Sequence, residues 1–182
     1  MTGSRALRAD ARRNRDAIVA AARSAFDRDE QFRFDDFAAR AGVGVGTLYR
    51  HFPTREALAS AVYEGEVAAL CDQARDSTRT PGENLDAFLR GFVGYLVEHA
   101  ALARTLAAVV DPAVQSVGGS ELERTVAEVM TRAAADGAIR DDVAPGAVMI
   151  VLHGIGSAAD RPLWASESRA AVELLISGLK TA

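Results

Sequence analysis

The amino-acid sequence predicts an all-α fold, and three observations support this prediction. Apolar residues recur three and four positions apart along most of the 182-residue chain, which is the spacing of one face of an α-helix. No stretch alternates apolar and polar residues as a half-buried β-strand does. Proline and glycine punctuate the apolar pattern, without an internal repeat or a low-complexity tract. The composition, 49% hydrophobic and 25% charged, is that of a globular protein.

Four short patterns predict the helices of the N-terminal third. One face of the first helix carries Ile18, Ala21, Ala22 and Ala25. The second helix runs from Phe34 to Ala41, and Gly42 can end it by adopting the left-handed conformation that glycine allows. The third, from Val45 to Phe52, is very short because Pro53 stops it. Thr54 can then cap a fourth helix with its hydroxyl.

The middle of the chain is predicted to hold three further helices. Pro81-Gly82 precedes a helix with a broad apolar stripe, and another helix runs from about Ala101 to Val110. Residues 115–119 are the best candidate for a mobile loop. Ser120 followed by Glu123 fits a capping box, which predicts that the next helix begins there.

Two apolar helices are predicted to end the chain. Pro145 suits the first turn of a helix that runs to Ser157, and Ser166 can cap a last helix that ends at Leu179. A lone chain is expected to expose one apolar face of each helix, formed by Val148, Val151, Leu152 and Ile155 and by Val172, Leu175, Ile176 and Leu179. The alternative is that both faces complete the core of a single chain.

Charge is distributed unevenly along the chain. The net charge is −4, yet residues 1–63 hold 11 arginines against eight acidic residues and carry +3, whereas residues 64–182 carry −7. A basic segment is the electrostatic footprint expected of a nucleic-acid-binding protein. The alternative is a chance fluctuation of composition.

The segment AGVGVGTLYRHF, residues 41–52, raises the question of which phosphate its glycines approach. A nucleotide-binding loop is disfavoured, because G-x-G-x-x-G must follow a strand and a P-loop needs a Gly-Lys pair that this chain lacks. A helix-turn-helix fits better, with Gly42-Val43-Gly44 as the turn and Val43 as its apolar plug. The helix after the turn would enter the major groove of DNA, and Gly44 and Gly46 would let its backbone approach the duplex.

The run FDDFAARAGVGVGTLYRHFPTREAL resembles the DNA-binding signature of the TetR family of bacterial transcriptional regulators, over about residues 12–63. The resemblance implies an N-terminal three-helix helix-turn-helix DNA-binding domain, residues 1–63, and a helical ligand-binding and dimerisation domain, residues 64–182. It also implies a homodimeric repressor that leaves a palindromic operator when a small-molecule effector binds. The dimer would form through a four-helix interface built from the last two helices of each chain.

Matched position by position, the resemblance implies a set of DNA contacts. The candidate DNA-binding residues are Arg33, Val45, Gly46, Thr47, Tyr49, Arg50, His51 and Arg55. Val45 and Gly46 match positions that face bases. The positions that usually hold backbone phosphates are matched by Thr47, Tyr49 and His51, and Arg55 matches a cationic position that is also typically on phosphate. Leu48 and Phe52 are assigned to the core, whereas Tyr49 could pack and Arg50 could be a solvated surface group.

Two arginine-bearing segments leave alternatives open. Arg33 stands where the family often has Ser or Thr as a helix cap, so the cap either passes to Asp35 or is lost. Near the N-terminus, the chain carries Arg5, Arg8, Arg12 and Arg13. These arginines belong either to a disordered tail or to an arm that tracks a groove of DNA.

The acidic part of the chain carries a candidate effector site. Four residues share one face of the helix after Pro81-Gly82, namely Phe88, Phe92, Tyr95 and His99. Met130, Met149 and His153 could close a cavity against that face. Apolar walls with a few polar groups predict a largely apolar, aromatic-compatible effector, to which Tyr95 or His99 gives a hydrogen bond. The alternative is that these residues are plain core.

Other functions find little support in the sequence. The three histidines are scattered without metal-ligand spacing, and no nucleophile elbow is present, so we expect no enzyme activity, metal or cofactor. Cys71 is the only cysteine, which excludes an internal disulfide. No membrane span or secretory signal is recognisable, so a cytoplasmic protein is expected. A helical protein-interaction adaptor without an effector is the alternative function, although it would not need a basic N-terminal third.

Overall fold

The computed structural model describes residues 3–27, 33–75, 78–107 and 112–181, and their side chains except those of residues 3–6, 26–27, 105–107 and 112–120. The described residues form α-helices and no β-strand, with one isolated antiparallel bridge between Ile139 and Lys180. The helices are α1 (Gly3–Asp27), α2 (Asp36–Arg40), α3 (Val45–His51), α4 (Arg55–Arg75), α5 (Pro81–Glu98), α6 (Ala100–Ala107), α7 (Pro112–Ala135), α8 (Pro145–Ser157) and α9 (Trp164–Leu179). The predicted all-α fold is confirmed.

The chain divides into two compact units, residues 1–63 and 64–182, with the boundary inside α4. In the first unit α1, α2 and α3 contact one another, and the buried side chains include Ile18, Ala22, Phe37, Leu48 and Phe52. In the second unit α5 contacts α6, α7, α8 and α9, and α8 contacts α6, α7 and α9. The apolar stripe predicted for α5 is buried there, with Leu85, Phe88, Leu89, Phe92 and Val93 all at most 4% exposed.

A capping box that the sequence analysis did not single out fixes the start of α5. The Thr80 hydroxyl accepts a hydrogen bond from the Glu83 backbone N–H, and the Glu83 carboxylate accepts one from the Thr80 backbone N–H at 3.1 Å. Hydrogen bonds from the Thr80 hydroxyl and from its N–H lower the pKa of Glu83, because they stabilise the ionised carboxylate. Pro81 occupies the first turn, where its missing N–H costs nothing.

The start of α7 differs from the prediction. The helix begins at Pro112, so residues 115–119 are helical and not a loop, and Ser120 lies inside the helix and is not its N-cap. The prediction failed because glycine and serine disfavour helix interiors only by about 1 kcal/mol or less each. Burial of Leu122, Val126, Val129 and Ala133 further along α7 stabilises the helix by more than that.

Helix α9 also begins before its predicted cap. It starts at Trp164, and Ser166 lies in its first turn, where the Ser166 hydroxyl donates to the Leu163 carbonyl. The indole Nε1–H of Trp164 donates to the Ile155 carbonyl at 2.6 Å and joins the start of α9 to the end of α8. The indole satisfies a carbonyl at the end of α8, and the start of α9 has no side-chain cap. Helix α8 has the predicted bounds, with Pro145 in its first turn.

The apolar faces expected to be exposed on α8 and α9 are largely buried. Six of the eight residues are at most 7% exposed, namely Val148, Leu152, Ile155, Val172, Ile176 and Leu179. Val151 and Leu175 are half-buried. The expectation was wrong because α5 and α7 cover these faces within the same chain. The alternative that they complete the core of one chain is the correct one.

Each of these two helices nevertheless presents an exposed stripe of small and large apolar residues. Ala147, Ile150 and Gly154 recur on α8, and Ala170, Leu174 and Gly178 recur on α9. Ile150 is 74% exposed and Leu174 is 75% exposed. We call these the outer stripe of α8 and the outer stripe of α9.

Hydrogen bonds tie the C-terminal end of α4 to α7. The Arg75 guanidinium donates to the Glu121 carboxylate at 2.7 Å, to the Thr125 hydroxyl at 2.8 Å and to the Glu128 carboxylate at 3.1 Å. The pKa of Glu121 is lowered, chiefly because its carboxylate accepts this bond from Arg75. In the same region the Asn84 side-chain amide donates to the Ala74 carbonyl.

No helix among the described residues is long and apolar enough to cross a membrane.

Candidate DNA interface

The start of α2 shows what replaces the side-chain cap. The Asp36 carboxylate accepts a hydrogen bond from the Arg33 backbone N–H at 3.0 Å, and the Arg33 carbonyl accepts one from the Asp36 N–H. The first bond satisfies a backbone donor ahead of the helix, and the second closes the turn that leads into α2. Asp35, at the N-cap, makes no side-chain capping bond. Of the two alternatives for this helix start, the side-chain cap is therefore lost.

The turn between α2 and α3 depends on one glycine. Gly42 has φ +67°, its N–H donates to the Ala39 carbonyl, and the Val43 N–H donates to the Ala38 carbonyl at 2.9 Å. This pair of bonds is a Schellman motif, in which the residue after the C-cap must be left-handed. A residue with a Cβ is strained in that conformation. The predicted role of Gly42 is confirmed, and Val43 is half-buried as a plug of the turn would be.

One face of helix α3 packs into the core of the first unit, and the other face is exposed to solvent. Leu48 and the following Phe52 are buried, as predicted for core residues. Val45, Gly46, Tyr49 and Arg50 are exposed, whereas Thr47 and His51 are half-buried. The exposed positions include both residues that the resemblance assigns to bases.

The glycines at the start of α3 are not required by protein packing. A Cβ at Gly44 or at Gly46 would meet no atom within 4 Å, and neither residue has a positive φ. The protein alone could therefore accept alanine at either position. Space of this kind beside a helix N-terminus is available to a second molecule that approaches the backbone closely.

Tyr49 is held by two residues at the start of α2. Its ring meets the Phe34 ring edge-on, with 5.3 Å between centroids. Its hydroxyl donates a hydrogen bond to the Asp35 carboxylate, which raises the pKa of Tyr49. A phosphate that takes the Tyr49 hydroxyl must therefore displace, or approach, a carboxylate. Asp35 was expected only as a possible cap of α2, and its contact with Tyr49 was not predicted.

Two arginines lie over buried aromatic rings of the same unit. The Arg55 guanidinium carbon is 5.9 Å from the Phe37 ring centroid, and that of Arg15 is 5.4 Å from the Phe52 centroid. Such contacts orient a long side chain while its charged end stays at the surface. Arg55 is a predicted contact, next to Thr54, whose hydroxyl caps α4 by accepting from the Ala57 N–H at 3.1 Å. Arg15 was not predicted, and only its spacing from Arg8 and Arg12 could have suggested it.

The candidate effector residues lie on helices that contact one another, but their surroundings differ. Phe88, Phe92, Met130 and Met149 are at most 4% exposed. Tyr95 and His99 are half-buried with 4.4 Å between ring centroids. His153 is exposed, which does not fit a place in the wall of an enclosed pocket. An open groove of about 540 Å³ between α4 and α7 contains none of these residues; it is lined by Arg75, Arg124, Ala127, Glu128, Thr131 and Arg132.

The folds and sequences of known proteins match both parts of the chain. Residues 18–62 match the family described as bacterial regulatory proteins, tetR family, and residues 80–181 match the C-terminal domain of the SbtR-like transcriptional regulators. The structure of the TetR transcriptional regulator SCO0520 from Streptomyces coelicolor is 34% identical, covers 92% of this chain and 99% of its own, and superposes with a TM-score of 0.63. The HTH-type transcriptional regulator SAR2658 of Staphylococcus aureus is 28% identical over 107 residues, 56% of this chain and 58% of that protein. The chain thus matches somewhat more than half the length of this curated relative.

One solved structure shares the fold at lower identity. FadR from Thermus thermophilus, a TetR family transcriptional repressor solved in complex with lauroyl-CoA, is 20% identical, covers 92% of this chain and 96% of its own, and has a TM-score of 0.67. Fold and site together define a helix-turn-helix regulator with a helical C-terminal domain. The chain belongs to the TetR family of transcriptional regulators. That membership replaces the alternative of a protein-interaction adaptor.

Proposed function

We propose that this protein is a homodimeric repressor, which binds a palindromic operator and leaves it when a small-molecule effector binds. The observation that carries the DNA part is the exposed N-terminal end of α3, where Gly46 leaves a space that the protein does not use. Val45 and Gly46 would face bases, and Arg33, Thr47, Tyr49, Arg50, His51 and Arg55 would hold phosphates on either side. One short helix reads few base pairs, so two copies on half-sites about 34–36 Å apart, or a multiple of this, would supply the specificity.

Gly46→Ala separates folding from DNA binding. The methyl group has room in the free protein and favours the helix by up to about 1 kcal/mol, so the melting temperature should hold or rise. On DNA the same methyl group would hold the backbone away from the bases. Loss of one good base contact, about 1–3 kcal/mol, corresponds to at least a roughly fivefold weaker Kd in a mobility-shift titration.

The matched control for this experiment is Gly65→Ala. Gly65 is an exposed helical glycine of α4, and a Cβ at this position would meet no atom within 4 Å, so the change in helix propensity is comparable. The control should bind DNA as the wild type does. Equal DNA binding by wild type and Gly46→Ala, on a duplex selected from a random pool by the wild type, would contradict the proposed position of α3 on DNA.

The outer stripes of α8 and α9 support the homodimer. Their large side chains, Ile150 and Leu174, are three-quarters exposed, and glycine or alanine lies one turn away on each helix. Small residues beside large apolar ones let helices of two copies approach closely and bury the large side chains. A two-fold axis would place the same stripes of both copies against each other. The dimer would then use residues other than those that the sequence predicted.

The effector would bind in the second unit, beside the pair formed by Tyr95 and His99. These half-buried polar rings stand next to the fully buried Phe92 on α5, which is the mixture of apolar wall and few polar groups typical of ligand sites. Phe88, Met130 and Met149 would supply further apolar surface. The lauroyl-CoA complex of FadR from Thermus thermophilus supports an effector with a long apolar part, although at 20% identity it shares only the fold.

A further inference from the structure

Helix α1 extends well beyond the core that it helps to form. It begins at Gly3, yet from Leu7 onward, where its side chains are described, the first buried residue is Ile18. Between Leu7 and Asp16 every residue is exposed except the half-buried Asn14. About two turns and a half of helix are therefore formed without contributing to the core of the first unit. Their surface is accessible to another molecule.

Positive charge is concentrated on one flank of this exposed segment. Arg8, Arg12 and Arg15 recur at i, i+4 and i+7, so they lie along one side of the helix. We call them the α1 arginine stripe. Arg13 lies off this stripe and pairs with Asp10. Within the stripe, Arg12 lies 3.9 Å from Asp16, and both side chains are at least 62% exposed, so solvent screens this ion pair.

One end of the stripe lies beside the C-terminal end of α3. Its last member, Arg15, is held over the Phe52 ring, and Phe52 is the C-cap residue of α3. Arg12 and Arg8 follow at about one and two turns toward the N-terminus, on the exposed part of α1. A DNA backbone that passes α3 would meet guanidinium groups beyond the bases that α3 reads.

We propose that the α1 arginine stripe binds phosphates of the operator just outside each half-site. This proposal rests on the DNA-binding function proposed above. Arginine presents a planar fork of donors that matches phosphate oxygens. Arg8 and Arg15 are about 10 Å apart along the helix, a span over which duplex DNA presents several negative charges. An anionic membrane surface fits less well, because Leu7 is the only large apolar side chain between residues 7 and 16.

The test is the salt dependence of DNA binding by the double variant Arg8→Ala/Arg12→Ala. On a selected duplex with ten or more base pairs beyond each half-site, the slope of log K against log salt should become shallower by about 3.6, or about 0.9 for each of the four phosphate contacts that the two protomers would lose. Affinity should fall for all sequences alike, without a change in base preference. Trimming the flanks of the duplex should weaken the wild type but not the double variant.

Arg13→Ala is the matched control, because it removes an arginine of the same segment that lies off the stripe. Its slope should stay within about 0.3 of the wild-type value, well below the change of one contact. An unchanged slope in the double variant, or an equal change in the control, would overturn the proposal. Binding of the stripe to anionic vesicles with no change in the DNA slope would overturn it as well. If the wild type bound no DNA, the proposed function itself would fail.

Discussion

Arg33 shows how a single residue can depart from a family pattern without loss of the local structure. A Ser or Thr at this position would cap α2 with its hydroxyl, and removal of such a cap typically costs about 1 kcal/mol. Here the Asp36 carboxylate, in the first turn of α2, accepts a hydrogen bond from the Arg33 backbone N–H. This backbone donor just before the helix is therefore satisfied by a side chain of the helix itself. The long cationic side chain of Arg33 is exposed and available to a phosphate. If Arg33 holds a phosphate as proposed, stability given up at the cap is exchanged for positive charge at the DNA interface.

Asp35 is the residue expected to limit DNA affinity, since its carboxylate accepts from the Tyr49 hydroxyl. Asp35→Asn removes the negative charge and keeps the shape of the side chain. We expect binding to all DNA sequences to tighten by about threefold to tenfold, because a phosphate no longer faces a carboxylate and Tyr49 becomes a better donor to it. Tyr49→Phe should weaken binding to all sequences.

A double-mutant cycle separates the two effects of Asp35. Mobility-shift titrations of Asp35→Asn, Tyr49→Phe and the combined variant give the coupling between the two residues. The gain from Asp35→Asn should be smaller in the Tyr49→Phe background, because only the electrostatic part remains. Weaker binding by Asp35→Asn than by the wild type would show instead that the carboxylate positions Tyr49 for DNA.

At the scale of helices, the outer stripes of α8 and α9 give the prediction for assembly. Ile150→Glu combined with Leu174→Glu places charges where two copies would meet, and an unpaired charge in such an interface is costly. Light scattering at micromolar concentration should give a dimer for the wild type and a monomer for the variant. Both side chains are three-quarters exposed in one chain, so each protomer should keep its helical circular dichroism spectrum.

The control for assembly is Leu163→Glu, at another exposed apolar residue, which precedes α9 and lies outside both stripes. It should remain dimeric. A monomeric wild type would remove the proposed homodimer, and a dimeric Ile150→Glu/Leu174→Glu variant would place the interface on another surface.

At the scale of the whole molecule, the effector must change DNA affinity through a difference in its own affinity for two states of the protein. With lauroyl-CoA as the probe, we expect thermal stabilisation of the wild type and release of a labelled operator duplex in the same concentration range. Phe92→Trp fills space beside Tyr95 and His99, and His99→Ala removes a polar partner. Each should raise the concentration for half release by about tenfold, which corresponds to about 1.4 kcal/mol.

Leu89→Met is the control for a general packing effect, because Leu89 is fully buried on a neighbouring face of α5. Its release curve should match that of the wild type. Release of the operator with unaltered potency in Phe92→Trp and His99→Ala would show that the effector binds elsewhere. No release by lauroyl-CoA would exclude a fatty acyl-CoA of this length as effector.

Much of the fold could be predicted because the relevant signals are local. The Gly42 turn, the Thr54 cap and Pro145 in the first turn of α8 each depend on residues within four positions along the chain. The starts of α7 and α9 could not be predicted from local rules. There, buried apolar residues and the Trp164 hydrogen bond to Ile155 outweighed weak preferences of glycine and serine.

Three properties follow from the sequence alone: the helical class, the position of the helix-turn-helix and the resemblance to a family. The periodicity, the glycine of the turn and the long motif behind them each depend on residues that are close together in the sequence. Which apolar faces stay exposed depends on the folded chain, since Val148 and Ile150 are equally apolar and differ only in whether another helix covers them. The partners of Tyr49 and Arg15 depend on it too, because Asp35 and Phe52 are brought to them by chain folding. Burial and side-chain pairing require neighbours that are distant in the chain, and folding alone brings those neighbours together.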